Sequence, residues 1–204
     1  MEKNRTDGRE GCRRNTAEYY DSVAELWDDD LPEERFARHV AATLSMPRTG
    51  GYVLDVGCGG GGMFRELAEC GASEIHGLDL SANMAALARR RFAHDPRISA
   101  VQEDFLRHFV PGYDVIMAFA VYDHFPDPEA FLFHAHRLLC PGGRLTVAFA
   151  ADCRQINLMN EELPEGITRQ LASADREVLR WEKFFKVDCL CDTDSIYLIS
   201  GVSR

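Results

Sequence analysis

Between Val53 and Met63 the chain reads V-L-D-V-G-C-G-G-G-G-M, so apolar residues with one acid run into five glycines within six positions. A turn of this kind lets backbone N–H groups close on a ligand and opens the next helix with its positive end toward it. Gly57-x-Gly59-x-x-Gly62 satisfies the dinucleotide fingerprint, and Asp79 ends the following apolar run, where a carboxylate can hold ribose hydroxyls. No Gly-Lys-Ser or Gly-Lys-Thr follows, which removes a triphosphate loop. The separating residue is Asp55, two positions before the first glycine. Beside a pyrophosphate, in a partly dry site, its charge would cost several kcal/mol. The same carboxylate suits a cationic or amino-bearing ligand that carries no phosphate.

The turn needs a sheet to hold it. From residue 51 onward short apolar runs alternate with helical stretches, the pattern of a parallel sheet with crossover helices. Strands are predicted at Tyr52–Val56, Glu74–Leu78, Ile98–Gln102, Tyr113–Phe119 and Arg144–Ala150. Helices are predicted at Met63–Glu69, Ala82–Phe92 and Glu129–Leu139, with Ser81 capping the second and Pro141-Gly142-Gly143 stopping the third. Two further strands, Phe184–Cys191 and Ser195–Val202, are joined by a link too short for a parallel crossover and must be antiparallel neighbours. A charged helix is expected over Ile167–Leu179, after a less regular stretch from residue 151. Upstream, apolar residues at helical spacing predict helices from Thr16 and over Pro32–Leu44. The fold class is therefore α/β: a Rossmann-like, seven-stranded, doubly wound sheet, mostly parallel with the last strand antiparallel, preceded by two N-terminal helices.

With 204 residues, 46% hydrophobic and 27% charged, the chain suits one domain. Residues 1–15 are polar and without apolar period and read as a disordered tail; 16–204 read as a single domain. Within it, 16–50 would form an N-terminal helical lid, 51–151 a ligand-binding core, and 152–204 a substrate-side segment with the final strands. A formal charge of -10 argues against a broad phosphate-binding surface, so nucleic acid is a disfavoured partner. No apolar run approaches the roughly 20 residues of a membrane span. Seven cysteines follow no signal sequence, and the chain reads as cytoplasmic with reduced thiols. Cys189-x-Cys191 alternates onto one strand face and is read as structural; no metal ligand set is assigned.

D-V-G-C-G-G-G resembles the acidic-x-Gly-x-Gly-x-Gly turn of the class I S-adenosylmethionine-dependent methyltransferases of small-molecule type. G-L-D-L-S-A-N-M (77–84), Q-E-D-F (102–105), D-V-I-M-A-F-A-V-Y-D-H-F (114–125) and R-L-L-C-P-G-G-R-L (137–145) resemble that family's later motifs, in the family's order. The resemblance implies that S-adenosylmethionine is bound, with S-adenosylhomocysteine as product. It implies contacts from Asp55, Gly57, Cys58 and Gly59 in the turn. Asp79 would accept both ribose hydroxyls, Leu80 and Met84 would wall the adenine slot, and Asp104 would accept the adenine amino group, with Phe105 offering its backbone N–H. At the fourth strand this chain departs from the family's acidic-x-x-acidic-His pattern, since Ala120 stands where an acid is common. Backbone groups of Phe119 and Ala120 would then line the methionine portion. Tyr20, with Tyr19 and Trp27, would fold over the ligand as an aromatic lid.

Methyl transfer is an in-line displacement in which the protein positions, desolvates and, for a protonated acceptor, supplies a base. His124 is the candidate catalytic base, because histidine exchanges protons near neutrality and the turn after strand four faces the ligand; fixing that turn is its other reading. Few basic residues flank the expected acceptor pocket, formed by the first helix, 120–126 and 151–164, so a small organic acceptor is expected. Three other readings stand beside it: a protein or nucleic-acid methyltransferase working with a partner, a non-catalytic S-adenosylmethionine-binding protein, and a nicotinamide dehydrogenase.

Overall fold

Each apolar run forms a strand: β1 (Tyr52–Val56), β2 (Glu74–Asp79), β3 (Ile98–Gln102), β4 (Tyr113–Phe119), β5 (Leu139–Phe149), β6 (Phe185–Thr193) and β7 (Ile196–Ser203). The computed structural model describes residues 3–27, 31–47 and 50–204. Its seven strands make one sheet in the order β3-β2-β1-β4-β5-β7-β6. Strands β1 to β5 are mutually parallel, and β7 lies antiparallel to both β5 and β6. The last strand is therefore the antiparallel one, as the short link before it requires.

Both faces of the sheet are covered, which is why its central strands are apolar at every position but a few. Leu54, Ile116, Leu145 and Val147 point into one core with Phe131, Leu132 and Trp181. Their strand neighbours Val53, Val115 and Met117 point into the other, with Phe64, Leu67 and Ala41. The covering helices are α1 (Lys3–Val23), α2 (Pro32–Ser45), α3 (Phe64–Glu69), α4 (Ala82–Arg91), α5 (Pro128–Leu138), α6 (Cys153–Asn160) and α7 (Ala174–Trp181). Their starts are set by local chemistry: Ser81 Oγ accepts from Met84 N, Asp127 from Ala130 N behind Pro128, and Asp152 from Arg154 N and Gln155 N.

Four expectations change. The first helix begins at Lys3, not Thr16, and residues 1–2 of the expected tail lie outside the described residues. Its polar composition gives no period, but Cys12 Sγ reaches Gly166 O at 2.7 Å and Arg13 pairs with Asp104 at 3.2 Å, partners far away in sequence. Over Ile167–Leu179 only the segment from Ala174 is helical. The preceding residues give their backbone groups to distant partners: Arg169 N donates to Asp123 O, and Leu171 N to Asn157 Oδ1. Residues 153–160, read as irregular, form α6 on the Asp152 cap. Finally, β5 starts at Leu139 and carries Pro141-Gly142-Gly143 as a bulge, with Leu139 opposite Tyr113 and Arg144 opposite Val115. Cys189 and Cys191 share one face of β6, packed against the core that holds Leu198. Among the described residues no helix is long and apolar enough to cross a membrane.

Candidate functional site

Strand order reverses at β1, which pairs with β2 on one side and β4 on the other. Crossovers diverge there, leaving a crevice beyond the carboxyl ends of the strands. A cavity of about 200 Å³ occupies it. The residues expected to meet a ligand all line it: Asp55, Gly57, Cys58 and Gly59 from the β1 turn; Asp79, Leu80 and Met84 from β2 and α4; Asp104 and Phe105 after β3; Phe119, Ala120 and His124 around the end of β4; and Tyr20 from α1.

The turn is shaped by three left-handed glycines, Gly57 (φ +65°), Gly59 (φ +54°) and Gly61 (φ +93°). At Gly57 a Cβ would stand 2.3 Å from Val121 Cγ2, so glycine is required by space as well as by torsion. Cys58 N donates to Leu78 O at 3.0 Å, tying the turn to the end of β2. Gly59 N donates to one oxygen of Asp79 at 2.9 Å and Ser81 N to the other at 2.8 Å. Each oxygen keeps a further lone pair for hydroxyl donors in the cavity. Burial pushes the Asp79 carboxyl up to about 6 against these two bonds, which pull it down. Asp55 is 2% exposed and reaches the cavity from the strand itself. Ala120 has a left-handed backbone (φ +53°), the only such residue besides glycine among those described, and its N donates to Ala148 O at 2.8 Å. Strain at the mouth of a cavity marks a held geometry, and no residue-type signal announced it.

Helix α1 crosses this crevice as a strap. Arg13 and Thr16 line the cavity near Asp104, while Tyr20 and Trp27 close it edge to face, their ring centroids 5.7 Å apart. Tyr19 touches Tyr20 but does not line the cavity. Asp21 is the fastener: Ser81 Oγ donates to it at 2.5 Å and Asn83 N at 2.9 Å, so it caps α4 in trans. From α2 come Glu34 and Arg38, which are ion-paired, with the Arg38 guanidinium 5.5 Å from the centroid of Phe119. Sequence reasoning missed Arg13, Asp21, Glu34 and Arg38. The i, i+4 spacing of Glu34 and Arg38 signalled an ion pair, but nothing local says which helix face meets a cavity.

After β4, Tyr122–His124 form one 3₁₀ turn. His124 Nδ1 is 3.1 Å from Ile167 O, which can only accept, so Nδ1 carries the proton. Nε2 therefore accepts from the Tyr20 hydroxyl at 3.0 Å. Burial, and behind it the charge of Asp123, hold the Tyr20 phenol well above its usual range, so it remains a donor. The turn is clamped from behind. Arg169 donates to Phe125 O and stacks 4.7 Å over Tyr122, whose hydroxyl donates at 2.6 Å to the fully buried Glu177. Residues 151–164, expected in the acceptor pocket, do not line this cavity; Asn160 instead braces Asp123 at 2.7 Å.

Comparison with known proteins bears on this geometry. Residues 54–145 match a family model for a methyltransferase domain. A ubiquinone biosynthesis O-methyltransferase of Xanthomonas oryzae is 32% identical over 131 residues, 58% of this chain and 53% of the relative. That of Xylella fastidiosa is 38% identical over 108 residues, 50% of this chain and 43% of the relative. The chain thus spans about half the length of the curated relatives it matches. The N-methyltransferase NodS of Bradyrhizobium japonicum, solved with S-adenosyl-L-homocysteine, superposes with TM-score 0.73 at 19% identity, covering 93% of this chain and 99% of that one. At that identity the likeness is one of fold.

Proposed function

We propose that this chain, which belongs to the class I S-adenosylmethionine-dependent methyltransferases, binds S-adenosylmethionine in the crevice and methylates a small organic acceptor there. The observation that carries the reading is the convergence of Asp55, Asp79 and Asp104 from three strand ends on one cavity. Three carboxylates would repel a pyrophosphate and favour a ligand with positive charge and hydroxyl donors. The donor set fits: Asp79 keeps acceptor capacity for a ribose, and Asp55 faces the cavity for an ammonium. Arg38 adds a cation for a carboxylate, and the Gly57 cradle has no room for a side chain. When bound, S-adenosylmethionine supplies an activated methyl group.

The chain's own share is positional. Tyr20, Trp27 and Phe119 exclude water, and Met84 and Leu80 wall the adenine side, with Asp104 and the Phe105 N–H as its polar edge. The backbone of Phe119 and Ala120 lines the amino-acid side. His124, its Nδ1 proton held by Ile167 O, presents a basic Nε2 toward the cavity. It takes the acceptor's proton once Tyr20 yields its place, so Tyr20 positions and His124 acts as base. The curated relatives are named for O-methylation, which supports a hydroxyl as the first acceptor class to test. Among the described residues the cavity lining includes Arg13 and Arg38 but no lysine, which supports a small acceptor over nucleic acid. All seven cysteines are free, which supports a reducing, cytoplasmic setting. Residues 51–151 act as the binding core and the two N-terminal helices as its lid, within one domain.

Incubation with radiolabelled S-adenosylmethionine and separate panels of phenols, amines, carboxylates and thiols tests the reading. Label should pass to a phenol or another small acceptor. Tight calorimetric binding of NAD with none for S-adenosylmethionine would overturn it.

A further inference from the structure

Next to the cavity lies a cluster of ligating side chains for which the proposed reaction has no use. His76 stands in the middle of β2, Glu103 directly after β3, and His108 directly after the 3₁₀ turn Phe105–Arg107. One ligating atom from each lies within 4.8 Å of the other two, and His108 Nδ1 is 3.1 Å from Glu103 Oε2. Two ligands of one zinc ion, each bound at about 2.0–2.2 Å, sit about 3.4 Å apart in a tetrahedral site. The observed spacing needs only small side-chain rotations to reach that geometry.

Hydrogen bonds around the cluster orient both imidazoles. Ser99 Oγ turns its hydrogen toward Ile75 O at 3.5 Å, so it accepts from His76 Nδ1 at 2.8 Å and leaves the His76 Nε2 lone pair free. His108 Nε2 is engaged with the Tyr113 hydroxyl at 2.8 Å, which directs Nδ1 at Glu103. A ligating imidazole donates a hydrogen bond from its other ring nitrogen. Without metal Glu103, which can only accept, keeps the proton on His108 Nδ1, and a bound ion would displace it to Nε2, which then donates to the Tyr113 hydroxyl. The surroundings hold His108 in place: it is buried, its carbonyl receives His134 Nε2 at 2.8 Å, and Tyr113 stacks on Tyr52 at 4.5 Å.

We propose that His76, Glu103 and His108 form a divalent-cation site of the zinc class, with two imidazole nitrogens, one carboxylate and an open position for water. Two nitrogens and one oxygen suit zinc better than calcium or magnesium, which take oxygen ligands. The ion clamps residues 103–108 to β2. Glu103 also lines the cavity and its N donates to Asp79 O at 2.9 Å, so the clamp stiffens the wall that carries Asp104. The site itself does not depend on the methyltransfer reading.

The test uses full-length protein freed of metal by chelation and titrated with cobalt(II) chloride, then with zinc chloride against a chromophoric chelator. One equivalent of cobalt should bind with a ligand-field spectrum free of thiolate charge transfer. Zinc should displace it and raise the thermal midpoint. His76→Ala and Glu103→Gln, both at partly exposed positions, should each weaken binding by at least about tenfold while leaving circular dichroism unchanged; Ser99→Ala should weaken it by about as much through orientation alone. Absence of stoichiometric binding, equal binding by wild type and both ligand variants, or a thiolate charge-transfer band would overturn the site. The first outcome would leave a plain His108–Glu103 hydrogen bond, and the last would assign the metal to cysteines.

Discussion

At the scale of single residues, Asp79 has the most measurable role. Its folded value of about 6, against an ordinary 3.8, means that the native state holds this proton to higher pH than the unfolded chain does. Between roughly pH 4 and 6 the native state therefore binds more protons, and stability falls as pH rises through that window, then levels. The contribution is on the order of 3 kcal/mol. Accepting ribose hydroxyls favours the charged form, so affinity for S-adenosylmethionine should weaken as pH drops below about 6. Asp79→Ala should cost about 1–3 kcal/mol of binding and abolish that dependence, both read by calorimetry. Unchanged affinity would remove Asp79 from the ribose contact. His124 and Tyr20 separate differently. His124→Gln should lower kcat by about 10²–10⁴ if Nε2 takes a proton, whereas Tyr20→Phe, which loses one hydrogen bond, should cost only about 0.5–1.5 kcal/mol of stability and spare most of kcat. Equal small losses in both would reduce His124 to a turn-fixing residue.

At the scale of elements, the β1 turn and the turn after β4 are built against each other. Gly57 can have no side chain because Val121 occupies the space, and Val121 is placed by the 3₁₀ turn that presents His124. Gly142 has a comparable torsion (φ +77°) with nothing within 4 Å. Substitution by alanine carries the left-handed backbone cost of about 1–2 kcal/mol at either position. Only Gly57→Ala adds the collision, so it should lower the unfolding free energy by at least about 1 kcal/mol more than Gly142→Ala and also lose cofactor affinity. Equal losses in urea denaturation would mean that Val121 gives way freely. Helix α1 teaches the complementary lesson. Its tertiary partners, Asp104, Ser81, Asn83, His124 and Gly166, lie 60 or more residues away in sequence. A polar segment with no apolar period gives no local sign of them, so its first turns were unreadable, while its aromatic end at Tyr19 and Tyr20 was legible.

At the scale of the whole molecule, the crevice joins the strap α1, the sheet switch point and the back clamp formed by Arg169 and Glu177. A ligand that touches the sheet and the strap together stabilises the native state by mass action, by about 2.7 kcal/mol at a hundredfold excess over Kd. For a chain of this size that corresponds to a rise of about 5–11 °C in Tm. Asp21→Ala, which unfastens the strap from α4 without touching the cavity, should shrink that rise in differential scanning fluorimetry. An undiminished rise would show that the strap takes no part in binding. The sequence alone was enough for the sheet, its single antiparallel strand and the three carboxylates at strand ends, because period, turn chemistry and strand-end placement are local properties of consecutive residues. Only the tertiary structure decided that Arg13, Asp21 and Arg38 belong to the site, that Tyr20 bonds His124, that Asn160 braces the turn from behind, and that His76, Glu103 and His108 meet. Those are encounters between side chains far apart in the chain, and their pairing depends on which helix face packs inward, a choice made by the fold's shared core rather than by any one segment.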